Sequence, residues 1–176
     1  MQLPIKKMTF YSIMGALAIA LSAAEYLIIP EIGLLPPGAK PGLANIVVLV
    51  AACTGSIAGT FYIILLKSLF VLITRGGSAF FMSISGGLVS GICMVMLIRN
   101  AGKLFSLIGI SVISAVVHNM AQFIAASVQT GMLLPVFYLA MLIVFGIISG
   151  VLTGVLAETV LPRLIKVLKP LQMAET

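Results

Sequence analysis

Residues 57–98 read IAGTFYIILLKSLFVLITRGGSAFFMSISGGLVSGICMVMLI, and this stretch decides the fold. It consists of two apolar runs, 57–74 and 78–98, separated only by Arg75, Gly76 and Gly77. A helix needs about 20 residues to cross the hydrocarbon core of a bilayer, so each run is close to a membrane span. Adjacent glycines are typical of tight loops. The stretch therefore predicts two membrane helices joined by a very short connection.

The composition extends this interpretation to the whole chain. Hydrophobic residues make up 61% and charged residues 8% of the 176 residues, whereas soluble domains have about 25% charged residues. Glycines, prolines and charged residues interrupt the apolar runs, and the uninterrupted stretches predict helices over 8–29, 43–54, 57–74, 78–98, 104–129 and 134–161. We predict an all-α integral membrane protein, a six-transmembrane-helix bundle in one domain over 1–176. The run 43–54 is short for a span, and a half-crossing helix buried in protein is the alternative.

The basic residues predict the orientation of the bundle. Six crossings place both termini on one side of the membrane. That side then receives seven basic residues: Lys6, Lys7, Arg99, Lys103, Arg163, Lys166 and Lys169. The other side receives Lys40 and Arg75, and Lys67 falls inside a helix. Because cytoplasmic loops are enriched in Lys and Arg, we expect both termini in the cytoplasm.

Small residues recur every fourth position in three predicted helices, a spacing that lets helix backbones approach closely. They are Gly146, Gly150 and Gly154; Ser83, Gly87 and Gly91; and Ala16, Ala20 and Ala24. The first two sets favour packing inside the bundle. Helix 1 has a second small-residue side, which includes Gly15 and Ala18. One side can therefore pack in the bundle and the alanine side can bind an external partner, although bundle packing of both sides remains open.

Polar residues inside the apolar runs predict a binding site. Lys67, His118, Asn119 and Gln122 all fall within predicted membrane helices. A charged residue near the bilayer centre costs about 2.5–3.5 kcal/mol on insertion scales, so such residues usually face a partner or a cavity. They either satisfy one another structurally or line a ligand pocket, and we favour the pocket. Asn45, Arg75 and Lys40 lie at the outer end in the predicted topology. The set predicts an outward-facing substrate site for an anionic or carbonyl-rich compound.

Several common kinds of site are excluded by the sequence. The chain contains no aspartate, which prenyl diphosphate synthases use to hold Mg²⁺-diphosphate through oxygen ligands. It also has no phosphate-binding GxxxxGK[ST] loop, no CxxC and only one histidine. The basic residues flank the apolar runs and do not form a nucleic-acid patch. We therefore predict no catalytic residues, no metal site and no cofactor.

Four segments resemble a known membrane family. They are PPGAKPGLANIVVLVAA (36–52), KSLF (67–70), SISGGLVSGICM (83–94) and IGISVISAVVHNMAQ (108–122). They look like the Gx transporter family, also called heptaprenyl diphosphate synthase component I. That family is in turn similar to the substrate-binding S components of energy-coupling-factor (ECF) transporters, which are six-helix proteins of about this size.

The resemblance implies a partner-dependent transporter subunit in a bacterial inner membrane. In S components an alanine stripe on helix 1, here Ala16, Ala20 and Ala24, docks on a membrane coupling protein, and two cytoplasmic ATPases supply energy. The loop after helix 1, here 30–42 with Lys40, closes over the substrate. The association of relatives with quinone genes implies a quinone or isoprenoid precursor as ligand. The alternative is a non-catalytic scaffold or electron-transfer partner in isoprenoid quinone metabolism.

Overall fold

The described part of the chain consists of α-helices. A computed structural model describes residues 3–28, 42–54, 56–101 and 104–173, and the side chains of 8–28, 42–54, 56–100 and 104–165. The helices are α1 (Leu3–Ile28), α2 (Leu43–Cys53), α3 (Ile57–Ala101), α4 (Leu107–Thr130) and α5 (Val136–Met173). The predicted helices 57–74 and 78–98 correspond to the two arms of α3, which meet at the non-helical residue Gly76.

The long helix α3 is folded back on itself at Gly76. Gly76 has φ 84° and ψ 179°, a conformation that glycine adopts readily because it has no Cβ. The hydroxyls of Ser68 and Ser83, on opposite sides of Gly76, lie 3.2 Å apart. A Cβ on Gly87 would come within 2.7 Å of Cγ2 of Ile64. The two arms therefore pack side by side, and the predicted three-residue loop shrinks to one non-helical glycine.

Four of the helices are long and apolar enough to cross a membrane, by length and composition. Their spans are Met8–Ile28, Ile57–Asn100, Leu107–Thr130 and Val136–Ile165. A multi-pass membrane protein follows from this. The fifth helix, α2, has 11 residues and is about 16 Å long at 1.5 Å per residue, which is too short to span.

The short helix α2 is the centre of the hydrophobic core. All six residues of 47–52 are buried, as expected of a helix that is apolar on every side. Gly42 precedes it with φ 74°, and Thr54 ends it by donating its hydroxyl to the carbonyl of Ala51 at 2.6 Å. The Tyr11 hydroxyl on α1 lies 3.0 Å from that of Thr54. The burial of α2 agrees with the alternative interpretation of 43–54 as an element enclosed by protein.

Glycines bring α4 and α5 into backbone contact. A Cβ on Gly150 or on Gly154 would come within 2.6 Å of the Cα of Val112 or of Ile108, respectively. The later glycine, Gly154, thus meets the earlier residue of α4, Ile108, and the two helices therefore run antiparallel. The interpretation of the glycine stripe as internal packing is confirmed.

The two sides of α1 have different environments. Met14, Gly15, Ala18, Ser22 and Glu25 are buried against the bundle. The alanine stripe lies on the other side, where Ala16 and Ala20 are exposed and Ala24 is half-buried. The predicted division of α1 into a bundle side and an outer side therefore matches the packing, and the use of the outer side by a partner stays a prediction.

Candidate functional site

A small polar cavity lies inside the bundle, between α2, both arms of α3, α4 and α5. The space open to the centre of a water molecule is about 20 Å³, enough for about one water. The lining residues are Asn45, Val48, Ile64, Lys67, Gly87, Ser90, Met94, Ser111, Ser114, Ala115, His118, Ser149 and Thr153. Most of these side chains are polar, in a chain that is mostly apolar. Polar groups in membrane helices usually face a protein interior or a cavity.

Lys67 supplies the positive charge of the cavity. Its side chain is 7% exposed, and its Nζ donates to Oδ1 of Asn45 at 2.7 Å. Asn45 lies in the first turn of α2, so the start of that helix determines where the acceptor sits. Lys67 lies near the middle of the first arm of α3, where the side chain cannot easily reach water. A buried ammonium group requires polar partners, and the cavity provides them.

His118 lines the cavity from α4. It is 8% exposed, and its Nδ1 is 3.1 Å from Oγ of Ser90 on the second arm of α3. Ser90 also donates to the carbonyl of Gly87 at 3.1 Å. The imidazole fits there because Gly86 has no side chain: a Cβ at that position would come within 2.9 Å of Cε1 of His118. The missing side chain at Gly86 thus positions the histidine.

Replacing Gly86 by alanine should displace His118. The new methyl group would overlap both the imidazole and the Cγ of Gln122, at 2.9 Å each, and real Cβ contacts are longer. Because the chain has one histidine, ¹⁵N-histidine labelling gives signals from that residue alone. We expect the imidazole signals of Gly86→Ala to shift. In the control Gly77→Ala the methyl group meets no atom within 4 Å, so its signals should match the wild type. Unchanged signals in Gly86→Ala would contradict the position of the ring.

Asn119 and Gln122 do not line the cavity. Asn119 donates its Nδ2 to the carbonyl of Leu142 on α5 at 2.7 Å, so it joins two helices. Gln122 packs against Gly86 beside His118. Its Oε1 is buried without a hydrogen-bond partner in the described part of the chain. For Asn119 the structure therefore favours the alternative in which the polar residue is satisfied by a neighbouring helix. Gln122 lies next to the cavity without lining it.

Arg75 does not line the cavity, and Lys40 falls outside the described residues. The guanidinium carbon of Arg75 lies 4.6 Å from the ring centroid of Tyr26, an arrangement that favours a cation–π interaction. Lys40 and all of the predicted closing loop except Gly42 fall outside the residues that the structure describes. Of the predicted substrate-binding residues, the cavity brings together Asn45, Lys67 and His118.

The cavity also includes residues that the sequence analysis did not assign to the site. It extends from Asn45, near the start of α2, to Ser111 in the first turns of α4 and Thr153 on α5. The hydroxyls of Ser111 and Thr153 are 2.6 Å apart. Thr153 and Ser90 were not predicted as site residues. Thr153 lies between Gly150 and Gly154, and such a polar residue beside a close-packed helix seam is the signal that could have identified it.

Glu25 is the most important residue that the sequence analysis missed. It is 7% exposed, its Oε1 accepts the backbone N–H of Leu43, and its charge interacts with those of Lys67 and Arg75. The signal was its position on the same side of helix 1 as Gly15 and Ala18. An acidic residue on the inner side of a membrane helix indicates a buried partner.

The chain matches a known protein family over a range that includes the whole cavity. Residues 14–160 match the family model described as heptaprenyl diphosphate synthase component I. The chain belongs to this family. The matched range includes all of the cavity-lining residues and Glu25. The comparisons found no curated protein and no solved structure that matches the chain.

Proposed function

We propose that the chain is a substrate-binding membrane subunit, similar to ECF S components, that takes up a small molecule with energy from partner proteins. The observation that carries this proposal is the buried Lys67 on a polar cavity in the bundle interior. A buried charge is costly in a membrane, and a bound ligand is a reason to maintain it. In this proposal the chain binds its ligand without transforming it.

The ligand chemistry follows from the groups on the cavity wall. A lysine ammonium has three donors, and one of those of Lys67 is used by Asn45. Hydroxyls of Ser90, Ser111 and Thr153 add further donors and acceptors. Anionic or carbonyl oxygens fit this set. The family description names heptaprenyl diphosphate, which supports an isoprenoid precursor as the source of such oxygens. Because the cavity has room for about one water, a larger ligand requires the surrounding helices to move apart.

The proposed membrane topology counts the two arms of α3 as separate crossings. If both arms of α3 and the segments α1, α4 and α5 each cross the membrane, five crossings result, and the proposed orientation requires one further passage of the chain between α1 and α3, where α2 lies within the bundle. Both termini then lie on the cytoplasmic side of the bacterial inner membrane, which the distribution of Lys and Arg favours.

The exposed alanines of α1 are the proposed docking surface for a membrane coupling protein, with cytoplasmic ATPases attached to it. Small residues allow close helix approach, and Ala16 and Ala20 point away from the bundle. Replacing Ala20 by phenylalanine should prevent that approach without touching the core. We expect co-purification of coupling and ATPase subunits from native membranes to fall at least about tenfold, because a bulky side chain opens the helix contact.

The matched control for this experiment is Val144→Phe on α5. Val144 is also exposed, at 55%, but it lies on a different helix. We expect its variant to co-purify the same subunits as the wild type. Equal recovery of these subunits with Ala20→Phe and with the wild type would contradict the docking surface.

A second candidate function is favoured by the family description itself, which names a component of a synthase. In this function the chain is a non-catalytic scaffold or electron-transfer partner in isoprenoid quinone metabolism. The same co-purification distinguishes the two candidates. Coupling and ATPase subunits support the uptake function, whereas recovery of a prenyl-transfer or redox enzyme in their place would support the scaffold.

A further inference from the structure

Glu25 connects α1 to the start of α2. Its carboxylate accepts the N–H of Leu43, the first residue of α2. The first amides of a helix have no partner within the helix, and the helix dipole favours a negative charge at that end. This carboxylate therefore holds the beginning of α2 from a neighbouring helix. It does not line the cavity, so its effect on the cavity acts through other residues.

The same carboxylate also interacts with the charge of Lys67. The two side chains are electrostatically coupled, and both are 7% exposed. Asn45, which accepts from Lys67 at 2.7 Å, comes two residues after Leu43. Glu25 thus acts on Lys67 mainly through the position of Asn45, and its charge adds an interaction across the space between the two side chains. Removing one of two interacting buried charges leaves the other less compensated.

We propose that Glu25 is a positioning residue that couples movement of α1 to the cavity. A shift of α1 withdraws one carboxylate from both Leu43 and Lys67, which loosens the first turn of α2 and the Lys67–Asn45 contact together. The outer side of the same helix carries the exposed Ala16 and Ala20, so an event at that surface can reach the cavity by this route. The inference deepens the proposed function and rests on it for the role of Lys67 as a ligand-binding group.

The first test measures hydrogen exchange at the start of α2, in the full chain in detergent with no ligand added. Glu25→Ala removes the acceptor, and we expect exchange in peptides covering 42–50 to rise at least about tenfold, since a hydrogen bond to a charged group contributes about one decade or more to an opening equilibrium. Glu25→Gln keeps an acceptor oxygen and should raise it less. The control Glu158→Ala changes an exposed residue of α5 and should match the wild type. Wild-type exchange in Glu25→Ala would overturn the link to α2.

The second test is a double-mutant cycle with Glu25→Gln, Lys67→Met and the double variant, followed by thermal unfolding. Glu25→Gln alone should lower the unfolding midpoint by about 2 °C or more, because it removes the charge that interacts with Lys67 and weakens the hydrogen bond to Leu43. With Lys67→Met already present, the same change should lower it much less. A merely structural role for Glu25 gives equal shifts in both backgrounds, and that result would overturn the coupling to Lys67.

The two tests distinguish this inference from the proposed function. Both are performed on protein without added ligand, so a chain that binds no small molecule still shows faster exchange and a non-additive cycle if Glu25 has this role. If Glu25→Ala yields no folded protein, the exchange of Glu25→Gln and the cycle decide alone. Wild-type exchange in that variant together with an additive cycle would overturn the inference.

Discussion

Replacing Gly150 by leucine should prevent the chain from accumulating as a folded protein. A Cβ at this position would come within 2.6 Å of the Cα and 3.0 Å of the backbone N of Val112. Backbone atoms of a neighbouring helix cannot rotate away as a side chain can, so α4 and α5 would have to separate. Overpacking typically costs about 1–3 kcal/mol and occasionally more, and separation of a whole helix seam puts this variant at the upper end. We expect loss of the monodisperse peak in fluorescence-detected size-exclusion chromatography.

The matched control for this prediction is Gly77→Leu, the same substitution at a helical glycine whose Cβ would meet nothing within 4 Å. We expect it to elute with the wild type. If Gly150→Leu also gives a wild-type peak, the close contact between α4 and α5 is wrong.

Replacing Lys67 by methionine should remove the ligand from the protein. Methionine keeps much of the length and apolar volume of the lysine stem, but it loses the ammonium group that donates to Asn45 at 2.7 Å. Truncating one partner of a buried hydrogen-bonded charge typically costs about 2–5 kcal/mol, which is about 30-fold or more in affinity. Small molecules extracted from equal amounts of purified wild type and variant, and quantified by mass spectrometry, should show this loss.

The control for the lysine variant is Arg99→Gln, which removes a positive charge from an exposed residue in the last turn of α3. Arg99 is not among the cavity-lining residues. We therefore expect it to retain the extracted compound. Equal loss in both variants would indicate a general effect of charge on the fold, and retention in both would remove Lys67 from the site.

Much of the fold could be predicted because lipid imposes strong rules on sequence. Apolar runs of membrane length marked the spans of α1, α4 and α5, and the spacing of Gly146, Gly150 and Gly154 marked a close helix seam. The glycine pair 76–77 marked the reversal within α3, but the sequence did not show that a single non-helical residue, Gly76, makes it. The predicted end of the last helix at 161 was wrong: α5 continues to Met173, because the basic residues of the tail can belong to a helix that leaves the membrane.

The candidate site was predicted in kind but only partly in membership. Lys67 and His118 could be identified because intramembrane ionisable groups are rare. Which polar neighbours joined them depended on helix rotation, which the sequence does not specify. Asn119, one residue after His118, points about 100° away on the helix and binds the α5 backbone instead. Glu25 was overlooked because its partners, Leu43 and Lys67, become neighbours only when α1, α2 and α3 pack together.

The most direct test of the account is a structure of the protein purified in lipid nanodiscs together with its co-purifying small molecule. The account predicts that the bundle widens around the cavity and that an oxygen of the compound lies within hydrogen-bond distance of Nζ of Lys67, between Asn45 and His118. A compound bound on the lipid-facing surface, with the Lys67–Asn45 contact and the small cavity unchanged, would contradict the central claim.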